Sequence, residues 1–165
     1  MAKRWTIVSG GQTGVDRAAL DAARALGLAY GGFVPRDRRT EDGALPDDYE
    51  GMIETKSARY PARTRRNVET ADATLIVTRG QLDGGTLLTV HIAERLGKPL
   101  LCLDFASQTA EAAARKLAAW LETMPPGRLN VAGPRESESP GIHAAASAYL
   151  SAVLIPPHPT RFASE

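Results

Sequence analysis

The sequence predicts an α/β protein of three layers, in which helices cover both faces of a mostly parallel sheet of about five strands. Short apolar runs alternate along the chain with helix-like segments, and this alternation favours parallel strands joined by right-handed helical crossovers. Most of these runs are β-branched or continuously apolar, as is typical of strands covered on both faces. The length of 165 residues fits one such domain.

Five apolar runs are predicted to be the strands. In chain order they are WTIV (5–8), AYGGFV (29–34), ATLIV (73–77), PLLCL (99–103) and LNVA (129–132). The second is the weakest, because two glycines dilute it. In the fourth, Cys102 is interpreted as a reduced thiol buried in the core.

Four segments between and after these strands have helical periodicity. The first two end at a glycine, which suits a helix C-terminus, and the third ends before two prolines. The segments are residues 15–27, 86–97, 109–124 and 141–154.

The domain is predicted to span residues 1–155, with a proline-rich C-terminal tail at 156–165. Residues 35–60 show no periodicity, and an irregular stretch of this length is usually functional or disordered. Whether it closes over a ligand stays open. Its arginines are expected to be solvated, because four carboxylates lie close by: Glu41, Asp42, Asp47 and Asp48.

Composition excludes several function classes. The net charge of +1 does not indicate a nucleic-acid partner. No run has the length of a membrane span, and the N-terminal apolar stretch is too short for a signal peptide, so a cytoplasmic protein is expected. One cysteine and three dispersed histidines do not form a metal site, and no nucleophile elbow is present.

Three predicted strands end in loops of glycine and small polar residues, namely SGGQTGVD, TRGQLDGGT and AGPRESESPG. Ligands of open α/β sheets bind beyond the carboxyl ends of the strands, and helix N-termini there attract anions. The glycine spacing is neither that of a dinucleotide site nor that of a P-loop. We therefore expect a small anionic ligand, held by Gly10, Gly11, Gln12, Thr13, Gly14, Arg79, Gly84, Gly85, Thr86, Arg135 and Ser137. Three carboxylates are expected to face the same crevice: Asp16, Asp83 and Glu136.

These loops resemble those of the molybdenum carrier proteins, a family within the Rossmann-like superfamily that also holds the cytokinin-activating phosphoribohydrolases (lysine-decarboxylase-like proteins). The resemblance extends from IVSGGQTGVDRAALDAA through YPARTRRNVETADATLIVTRG to LNVAGPRESESPGI. It implies a Rossmann-like fold, a homo-oligomer expected to be a tetramer, and storage or protected transfer of the molybdenum cofactor. That cargo is a pterin carrying a phosphate and a dithiolene-bound molybdenum. A molybdoenzyme or a cofactor-synthesis protein is the candidate partner.

The segment RTRRNVETAD resembles the helix that precedes the third strand in this family. Arg63 and Asn67 are four residues apart, so they share one helical face. Two interpretations stay open: this face reaches the crevice, or it belongs to a polar surface helix.

The phosphoribohydrolases provide a contrast, because a glutamate follows their P-G-G-x-G-T motif. The matching stretch here is LDGGTLLTV, whose first helical turn has no glutamate. Leucine transfers no proton, so this departure favours a binding protein over a hydrolase. No catalytic residue is assigned. The alternatives are an enzyme acting on a nucleoside monophosphate and a sensor of a nucleotide-like ligand, and a tungsten analogue or a metal-free pterin is an alternative cargo.

Overall fold

A six-stranded parallel sheet forms the centre of residues 4–154, the part of the chain that the computed structural model describes. Its strands stand in the order β5-β2-β1-β8-β6-β7, and a separate antiparallel hairpin is made by β3 and β4. The strands are β1 (Thr6–Val8), β2 (Tyr30–Val34), β3 (Arg39–Thr40), β4 (Gly43–Ala44), β5 (Met52–Glu54), β6 (Ala73–Thr78), β7 (Leu100–Asp104) and β8 (Arg128–Ala132).

Helices cover both faces of the sheet, which confirms the predicted three-layer arrangement. One face packs against α1, α4 and α5, and the other against α2 and α3. The helices are α1 (Val15–Ala25), α2 (Tyr60–Thr70), α3 (Gly84–Arg95), α4 (Ala110–Glu122) and α5 (Ile142–Val153). Thr109 caps α4, because its side chain accepts a hydrogen bond from the backbone N–H of Ala112.

All five predicted strands are present, and every residue of β6 is buried as expected of a central strand. The sixth strand, β5, was not predicted. It has three residues at the edge of the sheet, and Ile53 is 55% exposed, so no apolar run marks it in the sequence. The predicted proline-rich tail lies outside the described residues.

The interpretation of Cys102 as a buried thiol was wrong. Cys102 lies on β7, which forms the other edge of the sheet, and its side chain is exposed. An edge strand has a neighbour on one side only, so an apolar run does not ensure that each of its residues is covered. Within residues 4–154, no helix is long and apolar enough to cross a membrane.

The topology brings the loops that follow β1, β6 and β8 together at the carboxyl end of the sheet, because neighbouring parallel strands point the same way. The loop after β1 leads directly into α1, the loop after β6 into α3, and the loop after β8 into α5. Three helix N-termini therefore lie along the edge where the sequence predicts a ligand.

Candidate functional site

A cavity of about 310 Å³ opens at the carboxyl end of the sheet, and we call it the main cavity. It lies between the first turns of α2 and α3 and the loops that follow β1 and β8. The structure brings five of the predicted site residues to its wall: Gln12, Gly84, Gly85, Thr86 and Arg135.

The first turn of α3 is open to the main cavity. Asp83 caps this helix by accepting a hydrogen bond from the Gly84 N–H at 2.7 Å. A Cβ atom at Gly84 or Gly85 would meet no atom within 4 Å, so the backbone there faces free space. Thr86 follows and is 7% exposed. This turn therefore offers a ligand the positive end of a helix without side chains in the way.

A buried ion pair forms the opposite wall of the main cavity. Arg63 of α2 donates from Nη1 to Asp16 Oδ2 at 3.1 Å, and these side chains are 12% and 5% exposed. A Cβ at Gly10 would lie 2.0 Å from Arg63 Nη1, so a glycine at position 10 is what allows the arginine to approach. Of the two interpretations of Arg63, the structure supports the one in which it reaches the crevice.

One edge of the Arg63 guanidinium is unused. Its Nε is buried and has no hydrogen-bond partner among the described residues. Nε and Nη2 form the edge with which an arginine binds an oxyanion through two parallel hydrogen bonds. Nη1 is held by Asp16, which fixes the position of the guanidinium in a residue that lines the main cavity.

Asp16 has an unusual environment for a carboxyl group. Burial raises the pKa of Asp16 above its ordinary value, although the Arg63 guanidinium and the Gln12 N–H, at 3.4 Å, act in the opposite direction. Such a group can hold a proton at a pH where most aspartates are ionised.

The glycines of the first loop contact protein atoms rather than open space. A Cβ at Gly11 would lie 3.0 Å from Leu45, and a Cβ at Gly14 would lie 2.3 Å from the Pro134 carbonyl oxygen. Both glycines have positive φ angles, 75° and 78°. This loop therefore contributes mainly Gln12 to the main cavity, and its glycines serve close packing.

Thr13, Gly14 and Ser137 line a second, more open groove of about 840 Å³, which we call the side groove. There both hydroxyls donate to the carboxylate of Glu41, a residue that the sequence analysis counted among the loop charges. Arg135 has Glu138 at 2.9 Å and Glu41 at 3.6 Å. The structure thus joins the first and third loops through an acidic side chain of the 35–60 segment.

Arg79 is not brought to the main cavity. It lines a groove of about 560 Å³ between α4 and α5, which we call the helix groove, and its Nη1 lies 3.4 Å from the Pro140 carbonyl oxygen. The other two carboxylates expected in the crevice cap helices: Asp83 caps α3, and Glu136 accepts from the Gly141 and His143 N–H groups at the start of α5.

Two residues that line the main cavity had no signal in the sequence analysis. Tyr60 and Thr64 belong to the first turns of α2, beside Arg63. Arg39 lies over the Tyr60 ring at 4.9 Å and Arg63 at 5.5 Å, so the ring helps to position both guanidiniums. Among residues 4–154, no three His, Cys, Asp or Glu side chains are grouped to hold a metal ion.

The fold and the main cavity together define a Rossmann-like α/β protein with a cavity at the carboxyl ends of its strands. The model of the circularly permutated YpsA SLOG family matches residues 7–154. The chain therefore belongs to this family.

A solved structure gives a more specific likeness. The chain is 40% identical to a protein from Syntrophus aciditrophicus SB named "Putative molybdenum carrier protein", whose crystal structure was determined at 1.45 Å resolution. The TM-score is 0.89, and the match covers 93% of this chain and 96% of the other. This agrees with the resemblance seen in the sequence. No curated protein matches the chain.

Proposed function

We propose that this protein binds the molybdenum cofactor in the main cavity and stores it or transfers it unchanged. The observation that carries the proposal is the meeting of two anion-binding features in one cavity, the unused edge of Arg63 and the open first turn of α3. The similar protein from Syntrophus aciditrophicus SB, which is named a molybdenum carrier, supports the choice of cargo.

The ligand's anionic groups are assigned to these two features. A phosphate or an oxo group accepts from Nε and Nη2 of Arg63, while the backbone at Gly84 and Gly85 attracts negative charge. Pro61 and Leu88 provide apolar contact for a flat ring. The volume of about 310 Å³ is at the lower end for small-molecule sites, so the ligand that it holds is compact.

A second candidate function is hydrolysis of a nucleoside monophosphate, and Asp16 is the observation that favours it. A carboxyl group with a raised pKa at the wall of an anion-binding cavity has the properties of a general acid. Asp16 is, however, already held by Arg63. Release of a free base from nucleoside monophosphates by the purified protein would favour the enzyme over the carrier.

The test of the carrier function is native mass spectrometry of protein purified without oxygen, followed by titration with the molybdenum cofactor. We expect a retained mass that matches a pterin with molybdenum. Arg63→Gln removes the unused edge and should weaken binding about tenfold or more. Arg65→Gln is the matched control, because Arg65 is an exposed residue of α2 whose side chain makes no hydrogen bond or ion pair within residues 4–154. A retained nucleotide, or equal affinity of both variants, would contradict the proposal.

Gly85→Val tests the same cavity without disturbing the Asp16–Arg63 pair. No atom lies within 4 Å of the added Cβ, so the fold should be retained while the side chain obstructs the ligand. Gly11→Val is unsuitable as a binding test, because Leu45 and Val34 crowd that position and φ is positive. Far-UV circular dichroism would verify that the Gly85 variant is folded.

We also propose that the carrier works as a homo-oligomer, a tetramer, in the cytoplasm. The exposed thiol of Cys102 suits a reducing compartment. A molybdoenzyme or a cofactor-synthesis protein is the proposed partner, since a stored cofactor must come from one protein and be delivered to another.

A further inference from the structure

Glu41 stands at the tip of the hairpin formed by β3 and β4, and its carboxylate reaches into the side groove. The carboxylate accepts hydrogen bonds from the hydroxyls of Thr13 and Ser137 and from the Ser137 N–H at 3.2 Å. Arg135 Nε lies 3.6 Å away. Two loops from opposite ends of the chain thus direct their donors at one pair of oxygens.

These contacts form a donor set of the kind that holds a tetrahedral oxyanion. It combines two hydroxyls and one backbone N–H, and the Arg135 guanidinium beside them is shared with Glu138, whose Oε1 lies 2.9 Å from Arg135 Nε. The Thr13 hydroxyl oxygen accepts from the Glu136 N–H at 3.1 Å, so its own proton is directed at the carboxylate. In such a set, a carboxylate and a phosphate-like anion compete for the same donors.

The Glu41 side chain can leave these donors without movement of the hairpin. The Glu41 N–H is held by Gln12 Oε1 at 2.9 Å, and Leu45, which follows β4, is 1% exposed. Arg38 further anchors the hairpin by donating to the carbonyl oxygens of Leu45, Pro46 and Tyr49. A rotation about the side-chain bonds of Glu41 therefore frees the donors while the backbone stays in place.

We propose that Thr13, Ser137 and Arg135 form an oxyanion subsite next to the main cavity, which the Glu41 carboxylate fills until an anionic group of the ligand displaces it. Arg135 lines the main cavity, so the subsite and the cavity share a wall. The inference rests on the proposed function for the identity of the ligand. The class of group that it takes is a tetrahedral oxyanion such as phosphate or molybdate.

The experiment is a calorimetric titration of Glu41→Ala, Glu41→Gln and the wild-type protein with orthophosphate and, separately, with molybdate. Ionic strength is kept constant, and the buffer contains no other oxyanion. We expect Glu41→Ala to bind both anions about tenfold or more tightly than the wild type, because an attached competitor and its negative charge are removed. Combining Glu41→Ala with Ser137→Ala should cancel most of this gain.

Asp42→Asn is the matched control. Asp42 is the neighbouring residue in the same hairpin turn and pairs with Arg17 at 3.3 Å rather than with the donor set. The Asp42→Asn substitution removes one negative charge at the side groove, as the Glu41 substitutions do. An equal gain in anion affinity in this variant would show a general electrostatic effect and overturn the proposal. Unchanged affinity in folded Glu41→Ala and Glu41→Gln would also overturn it.

The failure of this inference is distinguishable from the failure of the proposed function. If Arg63→Gln loses the cofactor while the Glu41 variants bind oxyanions as the wild type does, the carrier function is supported and the oxyanion subsite is overturned. If the Glu41 variants gain affinity while Arg63→Gln still binds the cofactor, the subsite stands and the main cavity is not where the cargo binds.

Discussion

Two carboxylates, one in the main cavity and one in the side groove, are held in opposite ways. Burial raises the pKa of Asp16, because little water reaches it. Burial would also raise the pKa of Glu41, but hydrogen bonds from Ser137 and Thr13 and the charge of Arg135 outweigh it and hold that pKa below its ordinary value. The surroundings thus move the two pKa values apart, upward at Asp16 and downward at Glu41.

The lowered pKa of Glu41 predicts a specific dependence of stability on pH. A carboxyl group whose pKa is lower in the folded state stabilises the fold above its unfolded value, near 4.5, and loses this effect as the pH falls through the folded value. Glu41→Gln should therefore lower the free energy of unfolding by about 1 kcal/mol at pH 7. The difference from the wild type should shrink as the pH falls below about 4.5.

Urea unfolding of both proteins at pH 7, pH 5 and pH 4, without phosphate, would measure this difference. The comparison isolates Glu41, because all other titrating groups are common to both proteins. A difference that stays constant or grows towards low pH would show that the contacts of Glu41 do not depend on its charge.

Two glycines and Glu41 show what could not be predicted about the site from the sequence. Gly85 and Gly11 were predicted to face a ligand for the same reason, yet Gly85 faces open space and Gly11 packs against Leu45. A glycine is required in either case wherever another group comes close, and a sequence does not say whether that group is ligand or protein. Glu41 was missed because its partners lie 28 and 96 positions away in the chain.

At the scale of elements, one side chain of α2 forms hydrogen bonds to the backbone of the sheet. Asn67 is 2% exposed, accepts from the Phe33 N–H at 2.8 Å and donates to the Phe33 carbonyl oxygen at 3.0 Å. These bonds hold α2 beside β2 and so keep Arg63, one turn earlier, at the wall of the main cavity. Arg63 and Asn67, which the sequence places four residues apart on one helical face, therefore have different roles. Arg63 lines the main cavity, and Asn67 anchors the helix to β2.

Asn67→Ala should destabilise the protein by about 2 kcal/mol, because both polar backbone groups of Phe33 lose their partner. Chemical unfolding would measure this, and Glu69→Ala on the exposed side of α2 is the control. Asn67→Asp keeps an acceptor but cannot donate, so it should also be unstable. If Asn67→Ala has the stability of the control, the anchor is not needed to hold α2.

Five of the six strands of the sheet were predictable from sequence, whereas β5 and the hairpin of β3 and β4 were not. The buried strand β6 reads ATLIVT, a mostly apolar and β-branched run that is typical of a strand between two helical layers. The edge strand β5 and the hairpin of β3 and β4 have strands of only two or three residues, too short to show a periodic pattern in the sequence. The 35–60 segment was expected to be functional or disordered, and its hairpin supplies Glu41 to the site.

At the scale of the whole molecule, the two grooves and the main cavity differ in the side chains that line them. The main cavity and the side groove are lined with arginines, carboxylates and hydroxyls, whereas the helix groove combines five alanines with Phe105, Tyr149 and the polar side chains of Arg79, Gln108 and Glu111. A surface of small side chains between two helices lets another helix approach closely. We therefore assign the contacts of the proposed tetramer to the helix groove, on the α4 and α5 side of the sheet.

This assignment predicts that Ala148→Arg dissociates the oligomer. Ala148 is an exposed residue of α5 that lines the helix groove, and a long charged side chain there would hold a second subunit away. Light scattering should give the wild type four times the chain mass of 17.6 kDa and the variant a smaller multiple. Ala119→Arg, an exposed alanine of α4 outside the groove, should keep the wild-type mass. A monomeric wild type, or a variant that retains the full mass, would show that the helix groove does not join subunits.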